Sequence, residues 1–243
     1  MTTDVEQITI FHRPIRREFT VLSEAVAAVP PDDLEAARVV ASHATMMLAL
    51  LREHLRFEDA QLWPALRRHT RIYAELIAAM EARHDAIAAL TVPVERGLLE
   101  YAVRPAGTIR DRLARNLDRL SVELRDHLDL EESEILPLVS ERFPAAESNW
   151  RHVTFDCRPR DLRPSMLRPS MLRVGVLLEE ATAGERRGLL RRMPMPLRVV
   201  YRLVGTRMYA VRVGGVRSLL DDDPKGRRRA RWRAAVRPRR SVL

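Results

Sequence analysis

Residues 54–64, HLRFEDAQLWP, have a close counterpart at residues 127–137, HLDLEESEILP. Both stretches keep the frame His-Leu-x-x-Glu-acid-x-x-apolar-x-Pro. A histidine and a glutamate four residues apart lie on one face of an α-helix, about one turn apart, so both side chains can reach the same ion. The repeated frame therefore predicts two helices that each present a His–Glu pair.

Two further histidines extend the repeat to whole hairpins. His12 precedes His54 by 42 residues, and His84 precedes His127 by 43 residues. The sequence thus predicts two similar helical hairpins, each with one histidine on its first helix and the His–Glu pair on its second. If the hairpins pack about a pseudo-two-fold axis, four imidazoles and two carboxylates meet in the interior.

The apolar residues around these positions follow a helical rhythm, which is typical of helices that face a bundle core. In the first segment, steps of three and four residues separate His12, Ile15, Phe19, Leu22, Val26 and Val29. Three more such stripes predict an all-α fold, an up-down-up-down four-helix bundle over residues 1–146. To keep His84 level with His127, the third helix must continue past Pro93, kinked there, to a turn near Pro105.

Charge divides the chain into two parts. Residues 1–150 carry 18 arginines and 25 acidic residues, a net charge of −7, whereas residues 151–243 carry 24 basic and 8 acidic residues, a net charge of +16. We interpret the second part as a linker over residues 147–173, which contains a duplicated RPSML, a basic helical extension over 174–217 broken near 193–196, and a disordered basic tail over 218–243.

Composition restricts the class of protein. The lone Cys157 excludes an internal disulfide and a multi-cysteine zinc site. We find no apolar run long enough to span a bilayer, and the N-terminal MTTDVEQIT is not a secretory signal, because it lacks a basic region followed by an apolar one. These features predict a soluble, cytoplasmic protein.

Carboxylates at core positions indicate a bound cation. An unpaired buried carboxylate costs on the order of several kcal/mol, so Glu58 and Glu131 require compensation. Imidazole and carboxylate ligands without thiolate suit iron or manganese, and zinc less specifically. Two carboxylates between two groups of histidines predict two ions that Glu58 and Glu131 bridge.

The ordered set His, His-x-x-x-Glu, His, His-x-x-x-Glu resembles the haemerythrin-like HHE cation-binding family over roughly residues 5–143. The acid after each glutamate, Asp59 and Glu132, and the proline that closes each frame extend the resemblance. It implies a four-helix bundle around two iron ions with an oxo or hydroxo bridge, manganese or zinc being less expected. The implied metal ligands are His12, His54, Glu58, His84, His127 and Glu131.

One position departs from the oxygen-carrying members of that family. They have His-x-x-x-His on the third helix, and the first of these positions is Met80 here. The irons would then keep about two open coordination positions, which favours peroxide or O₂ chemistry over reversible oxygen carriage. Glu81, three residues before His84, is a possible further ligand. We expect His43, about three turns from His54, to be a buried hydrogen-bonded histidine or an entry-channel residue.

The resemblance leads to a non-haem di-iron protein that reacts with O₂, peroxide or nitric oxide, with catalase-like peroxide turnover as its enzymatic version. The alternative is a non-enzymatic iron or oxygen sensor, or an iron-binding module, that signals through the basic C-terminal region. For that region we favour docked helices that cover the bundle. A contact with nucleic acid and a contact with an anionic membrane are the other two interpretations.

Overall fold

The computed structural model describes residues 4–69, 73–142 and 164–220, and none of these residues forms a β-strand. They form the helices α1 Asp4–Ala28, α2 Leu34–Phe57, α3 Trp63–His69, α4 Ala74–Val103, α5 Gly107–Leu130, α6 Leu136–Arg142, α7 Pro164–Glu179, α8 Ala183–Arg192, α9 Met195–Val200 and α10 Thr206–Arg217. Wider, π-helical turns join α2 to α3 (Glu58–Leu62), α5 to α6 (Glu131–Ile135) and α9 to α10 (Tyr201–Gly205).

Four long helices, α1, α2, α4 and α5, form the bundle. Helix α1 packs on α2 and α5, and α4 packs on the same two helices. Side chains such as Phe19, Leu51, Ile87 and Leu120 are buried between them, and burial of one such side chain contributes about 1.5–3 kcal/mol. The predicted all-α bundle is confirmed.

Both hairpin turns fall where the sequence predicts them. At the first turn, the carboxylate of Asp33 accepts the Ala36 N–H at 3.1 Å and caps α2. Helix α4 continues through Pro93 and ends at Val103. It ends there because Arg104 precedes a proline and takes an extended backbone conformation. The long third helix therefore keeps His84 beside α5.

The C-terminal part departs from the prediction at its start. Residues 164–173, which we assigned to a linker, form the first part of α7. The helix begins with a proline at a position where no N–H is needed, and Met171 and Leu172 are buried, so this segment contributes packing. Residues 143–163 and 221–243 lie outside the described residues, and the disordered tail therefore stays a prediction.

The extension also contains one more break than predicted. The break near residues 193–196 separates α8 from α9. A second break separates α7 from α8, where Thr182 and Glu185 form a capping box. The Thr182 N–H donates to the Glu185 carboxylate at 2.7 Å, and the Glu185 N–H donates to the Thr182 hydroxyl at 3.3 Å. The T-x-x-E signal was present in the sequence.

The extension packs on the bundle, as in the arrangement that we favoured. Helices α7 and α10 both contact α1 and α2. Arg173 of α7 donates to both carboxylate oxygens of Glu53 on α2, at 2.8 and 2.7 Å. A Cβ atom at Gly175 would lie 2.3 Å from the Tyr209 ring, so α7 and α10 approach each other this closely only because residue 175 is a glycine. The extension and the bundle thus meet at a packed interface, with ion pairs in which either part supplies the arginine.

One helical stretch among the described residues, Leu34–Arg68, is long and apolar enough to cross a membrane by length and composition. This corrects the expectation that no apolar run has such a length. In its most apolar window, however, 56% is buried inside the fold. Packing against α1 and α4 therefore accounts for its apolar character.

Candidate metal centre

Six side chains from four helices meet inside the bundle. They form two groups that share Glu58, and within each group the possible ligand atoms lie within 4.8 Å of one another. The first group is His12, His54, Glu58 and Glu131, and the second is Glu58, His84 and His127. Every member is buried, with at most 5% of its surface exposed. The structure thus brings together all six residues that the repeat singles out.

The two glutamates occupy equivalent places in the two hairpins. Oε1 of Glu58 lies 3.0 Å from Nε2 of His54 on its own helix, and Oε2 lies 3.2 Å from Nε2 of His84 on the other hairpin. Oε2 of Glu131 lies 3.7 Å from Nε2 of His127 on its own helix and 3.4 Å from Nε2 of His12 on the other hairpin. Each carboxylate therefore links the two hairpins.

Each glutamate is also the first residue of a π-helical turn. The carbonyl of Glu58 accepts the N–H of Trp63, five residues on, and the carbonyl of Glu131 accepts the N–H of Leu136. The proline that closes each frame explains the turn, because it has no N–H for the normal α-helical bond and its ring clashes with the carbonyl four residues back. A wider turn admits the proline without ending the helix. The repeated proline thus shapes the backbone at the metal centre.

Two outer carboxylates orient two of the histidines, and they do so across the hairpins. Nδ1 of His12 lies 2.8 Å from Oε1 of Glu132, and Nδ1 of His84 lies 2.6 Å from Oδ1 of Asp59. An ionised carboxylate only accepts hydrogen bonds, so the imidazole Nδ1 donates in both pairs. In the neutral imidazole, Nε2 then keeps its lone pair for a metal ion. Arg16 supports Glu132 at 3.1 Å.

The inner polar atoms of the centre have no such support. Both carboxylate oxygens of Glu58 and Glu131 lack a hydrogen-bond partner among the described residues, and so does Nε2 of His12, His84 and His127. Leaving one buried polar atom unpaired costs about 1–3 kcal/mol. Here the unpaired nitrogens and oxygens surround a common space, and these donor types suit a divalent transition metal. The residues present therefore fit a metal centre.

Burial also shifts the pKa values of the groups in the metal centre. Burial raises the pKa of Glu58, and burial together with the neighbouring Glu58 charge raises that of Glu131 well above its usual range. Burial lowers the pKa of His127 to about 2. Burial would also lower that of His84, but the Asp59 hydrogen bond and the Glu58 carboxylate outweigh it and raise the pKa to about 9. Without a cation, the centre thus disfavours two ionised glutamates.

Other candidates from the sequence lie elsewhere. Glu81 is not part of either group, since its carboxylate is paired with Arg67 and 36% of its side chain is exposed. Met80, at the position of the additional family histidine, is fully buried in an apolar cluster that includes Trp63. Neither residue therefore supplies a further nitrogen or oxygen ligand in this arrangement.

His43 is a buried hydrogen-bonded histidine, one of the two roles that we expected. Its Nε2 lies 2.7 Å from Oε2 of Glu18, and both residues are about 1% exposed. Oε1 of Glu18 accepts hydrogen bonds from Arg17 at 2.8 Å and from Arg217 of the extension at 3.3 Å. Burial opposes ionisation of Glu18, but His43 and Arg17 outweigh it and lower its pKa to about 2.

Sequence reasoning missed Glu18 and the orienting role of Asp59 and Glu132. The signal for the last two was present, because the acid recurs in both copies of the frame. The histidine that each acid contacts, however, lies on the other hairpin, 25 residues away for Asp59 and 120 residues away for Glu132. Glu18 has no repeat to mark it, and its partners lie on α1, α2 and α10.

Comparison with known proteins agrees with this site. The family model described as the haemerythrin HHE cation binding domain matches residues 3–139, more than half of the chain. Searches of curated proteins and of solved structures found no match. The matched range contains all six inner residues and both outer carboxylates, and it ends before the extension. The chain therefore belongs to the haemerythrin HHE cation-binding family.

Proposed function

We propose that this protein is a cytoplasmic non-haem di-iron protein that reacts with O₂, peroxide or nitric oxide. The observation that carries the proposal is the division of the buried ligands into two groups that share Glu58. Two groups suit two ions, and mixed imidazole and carboxylate ligands suit iron before zinc. Iron, when bound, supplies electrons for the reduction of a small oxygen species.

In this proposal the four histidines and two glutamates hold the ions, and the remaining side chains keep the site in place. Glu132 and Asp59 fix the rings of His12 and His84 through Nδ1. Phe11 lies against His54, with ring centroids 4.9 Å apart, and Trp63 lies against His84 at 5.6 Å. These apolar walls limit the entry of water. Because Met80 contributes no nitrogen ligand, a bound metal would keep room for a small ligand.

The proposal is tested by an anaerobic titration of the metal-free protein with Fe(II), followed by exposure to air. We expect binding to saturate near two irons per chain, and air to produce near-ultraviolet charge-transfer absorption, as for a pair of iron ions that share ligands. Peroxide consumption by the loaded protein is the next assay. Saturation at one iron, or an unchanged spectrum in air, would contradict the di-iron assignment.

A second candidate function, an iron- or oxygen-responsive sensor, is supported by one contact. Arg173 of the extension donates to both carboxylate oxygens of Glu53. Glu53 is the immediate neighbour of His54 in the chain. A change at the metal centre could thus reach α7 through two adjacent residues of α2. If the protein is a sensor, oxidation should change amide hydrogen exchange in α7 to α10 while peroxide turnover stays negligible. Arg173→Ala should remove that change and leave iron stoichiometry intact.

A further inference from the structure

An apolar ridge on the extension faces solvent. Helices α9 and α10 form one continuous helix through the π turn Tyr201–Gly205. On its outer side Met195, Val199, Leu203 and Val204 are 73%, 45%, 75% and 47% exposed, and we call these residues the apolar ridge. Exposed aliphatic side chains that lie together on one side of a helix often mark an interaction site.

The helix that carries the ridge is itself well packed, so poor packing does not explain why the ridge is exposed. Its opposite side is buried, with Leu197, Tyr201 and Gly205 turned toward the rest of the protein. At Gly205 a Cβ atom would lie 2.5 Å from the Tyr201 ring and 3.2 Å from Sδ of Met171 on α7. The helix is therefore seated closely on α7 and has no room to roll and bury the ridge.

The segment that carries the ridge has charged side chains of one sign only. Residues 186–220 contain nine arginines and no aspartate or glutamate. Arg202 and Arg207, beside the ridge, are exposed. The other exposed apolar side chains of the protein differ in this respect. Leu99 and Val103 on α4 are 74% and 75% exposed, but acidic residues lie among the bases around them.

We propose that the apolar ridge and its arginines bind the surface of an anionic lipid bilayer. Aliphatic side chains enter the boundary between headgroups and acyl chains, while arginines beside them reach acidic headgroups. Single-stranded nucleic acid fits less well, because it is held by exposed aromatic rings. In this helix Tyr201 is 7% exposed and the Tyr209 hydroxyl donates to Glu179. A duplex is held through its phosphates and would leave the aliphatic ridge unused.

The test is flotation of the full-length protein with vesicles of neutral phosphatidylcholine or of phosphatidylcholine with about 30% phosphatidylglycerol. We compare the natural protein with Met195→Ser/Leu203→Ser and with the matched control Leu99→Ser/Val103→Ser. Both double variants remove two side chains of similar exposure and leave the charge unchanged. Any electrostatic contribution of residues 221–243 is therefore equal in all three proteins. The measurement requires no iron, so it is independent of the proposed function.

We expect binding to anionic vesicles alone, weakened by salt, and reduced roughly tenfold or more by the ridge variant because two apolar side chains no longer enter the bilayer. The control variant should bind like the natural protein. Three results would overturn the proposal: no flotation with anionic vesicles, equal flotation with neutral ones, or equal loss in both variants. Binding of duplex DNA that competes with the vesicles and is unaffected by the ridge variant would also overturn it, in favour of a nucleic-acid partner.

Discussion

The bundle contains two buried clusters built from the same residue types, and they differ in how their charges are balanced. In the Glu18–His43 cluster, hydrogen bonds from Arg17, Arg217 and His43 reach both carboxylate oxygens. In the metal centre, the oxygens of Glu58 and Glu131 have no hydrogen-bond partner among the described residues.

The pKa values express the same difference. The pKa of Glu18 is lowered to about 2, although burial alone would raise it, whereas those of the two inner glutamates are raised. A buried carboxylate that the protein itself neutralises is structural. A buried carboxylate whose pKa stays raised despite the imidazoles around it is suited to a cation from outside. His–Glu proximity alone would not have separated the two clusters.

The largest expected effect is on metal binding. Glu58→Ala and Glu131→Ala each remove a carboxylate that links both hairpins, so stoichiometric binding of two ions should be lost, as measured by metal analysis after gel filtration. Glu18→Gln, a change in the other buried cluster, should keep both ions provided that circular dichroism shows a folded chain. Normal metal content in either alanine variant would remove Glu58 or Glu131 from the ligand set.

The next effect is on stability. Glu18→Gln leaves the buried His43 without its carboxylate, whereas Arg17 keeps Glu179 and Glu180. Breaking a buried ion pair such as Glu18–His43 costs about 3–5 kcal/mol. Urea unfolding of the metal-free protein measures the loss. The matched control is Glu123→Gln, which breaks a pair with Arg83 that is about 30% exposed and should cost less than about 1 kcal/mol. Equal losses in the two variants would mean that burial does not distinguish these pairs.

A third effect follows from pH. Because the folded pKa of Glu18 lies below its ordinary value of 4.5, at about 2, its ionised form stabilises the fold above pH 4.5. This contribution is lost as the pH falls toward 2 and amounts to about 3 kcal/mol. The difference in unfolding free energy between the natural protein and Glu18→Gln should therefore be largest near pH 6 and shrink below pH 4.5. A difference that does not change with pH would show that Glu18 acts by packing alone.

The smallest effect concerns the outer carboxylates. Asp59→Asn and Glu132→Gln should weaken metal affinity about 10- to 100-fold, because the ring of His84 or His12 loses its acceptor. Competition with a chelator of known affinity measures this change. Glu134→Gln alters an exposed neighbour in the same π turn and should leave the affinity unchanged. An equal change in all three variants would indicate a general effect of surface charge.

The sequence predicted the parts of the molecule that a repeat or a period marks. The bundle follows from the apolar spacing along single helices. The turn before Pro105 and the six inner residues follow from the His–Glu pairs together with the repeat of one hairpin in the other. The missed parts depend on contacts between distant segments. Arg217 donates a hydrogen bond to Glu18, 199 residues away in the sequence, and no local sequence pattern predicts such a contact. The first part of α7 was missed because a proline-rich duplication resembles a linker, although its methionine and leucine are buried.

Each outer carboxylate contacts a histidine of the other hairpin, and this arrangement matters for how the protein is made. A ribosome releases His12 early, and the acceptor of its ring, Glu132, is 120 residues behind it. When the first hairpin has emerged, it carries Asp59 without His84 and His12 without Glu132. A nascent half-domain therefore presents loose ligands that hold an ion weakly. A metal ion is held firmly only by the completed bundle, so a prematurely terminated chain does not carry a tightly held, half-formed metal site.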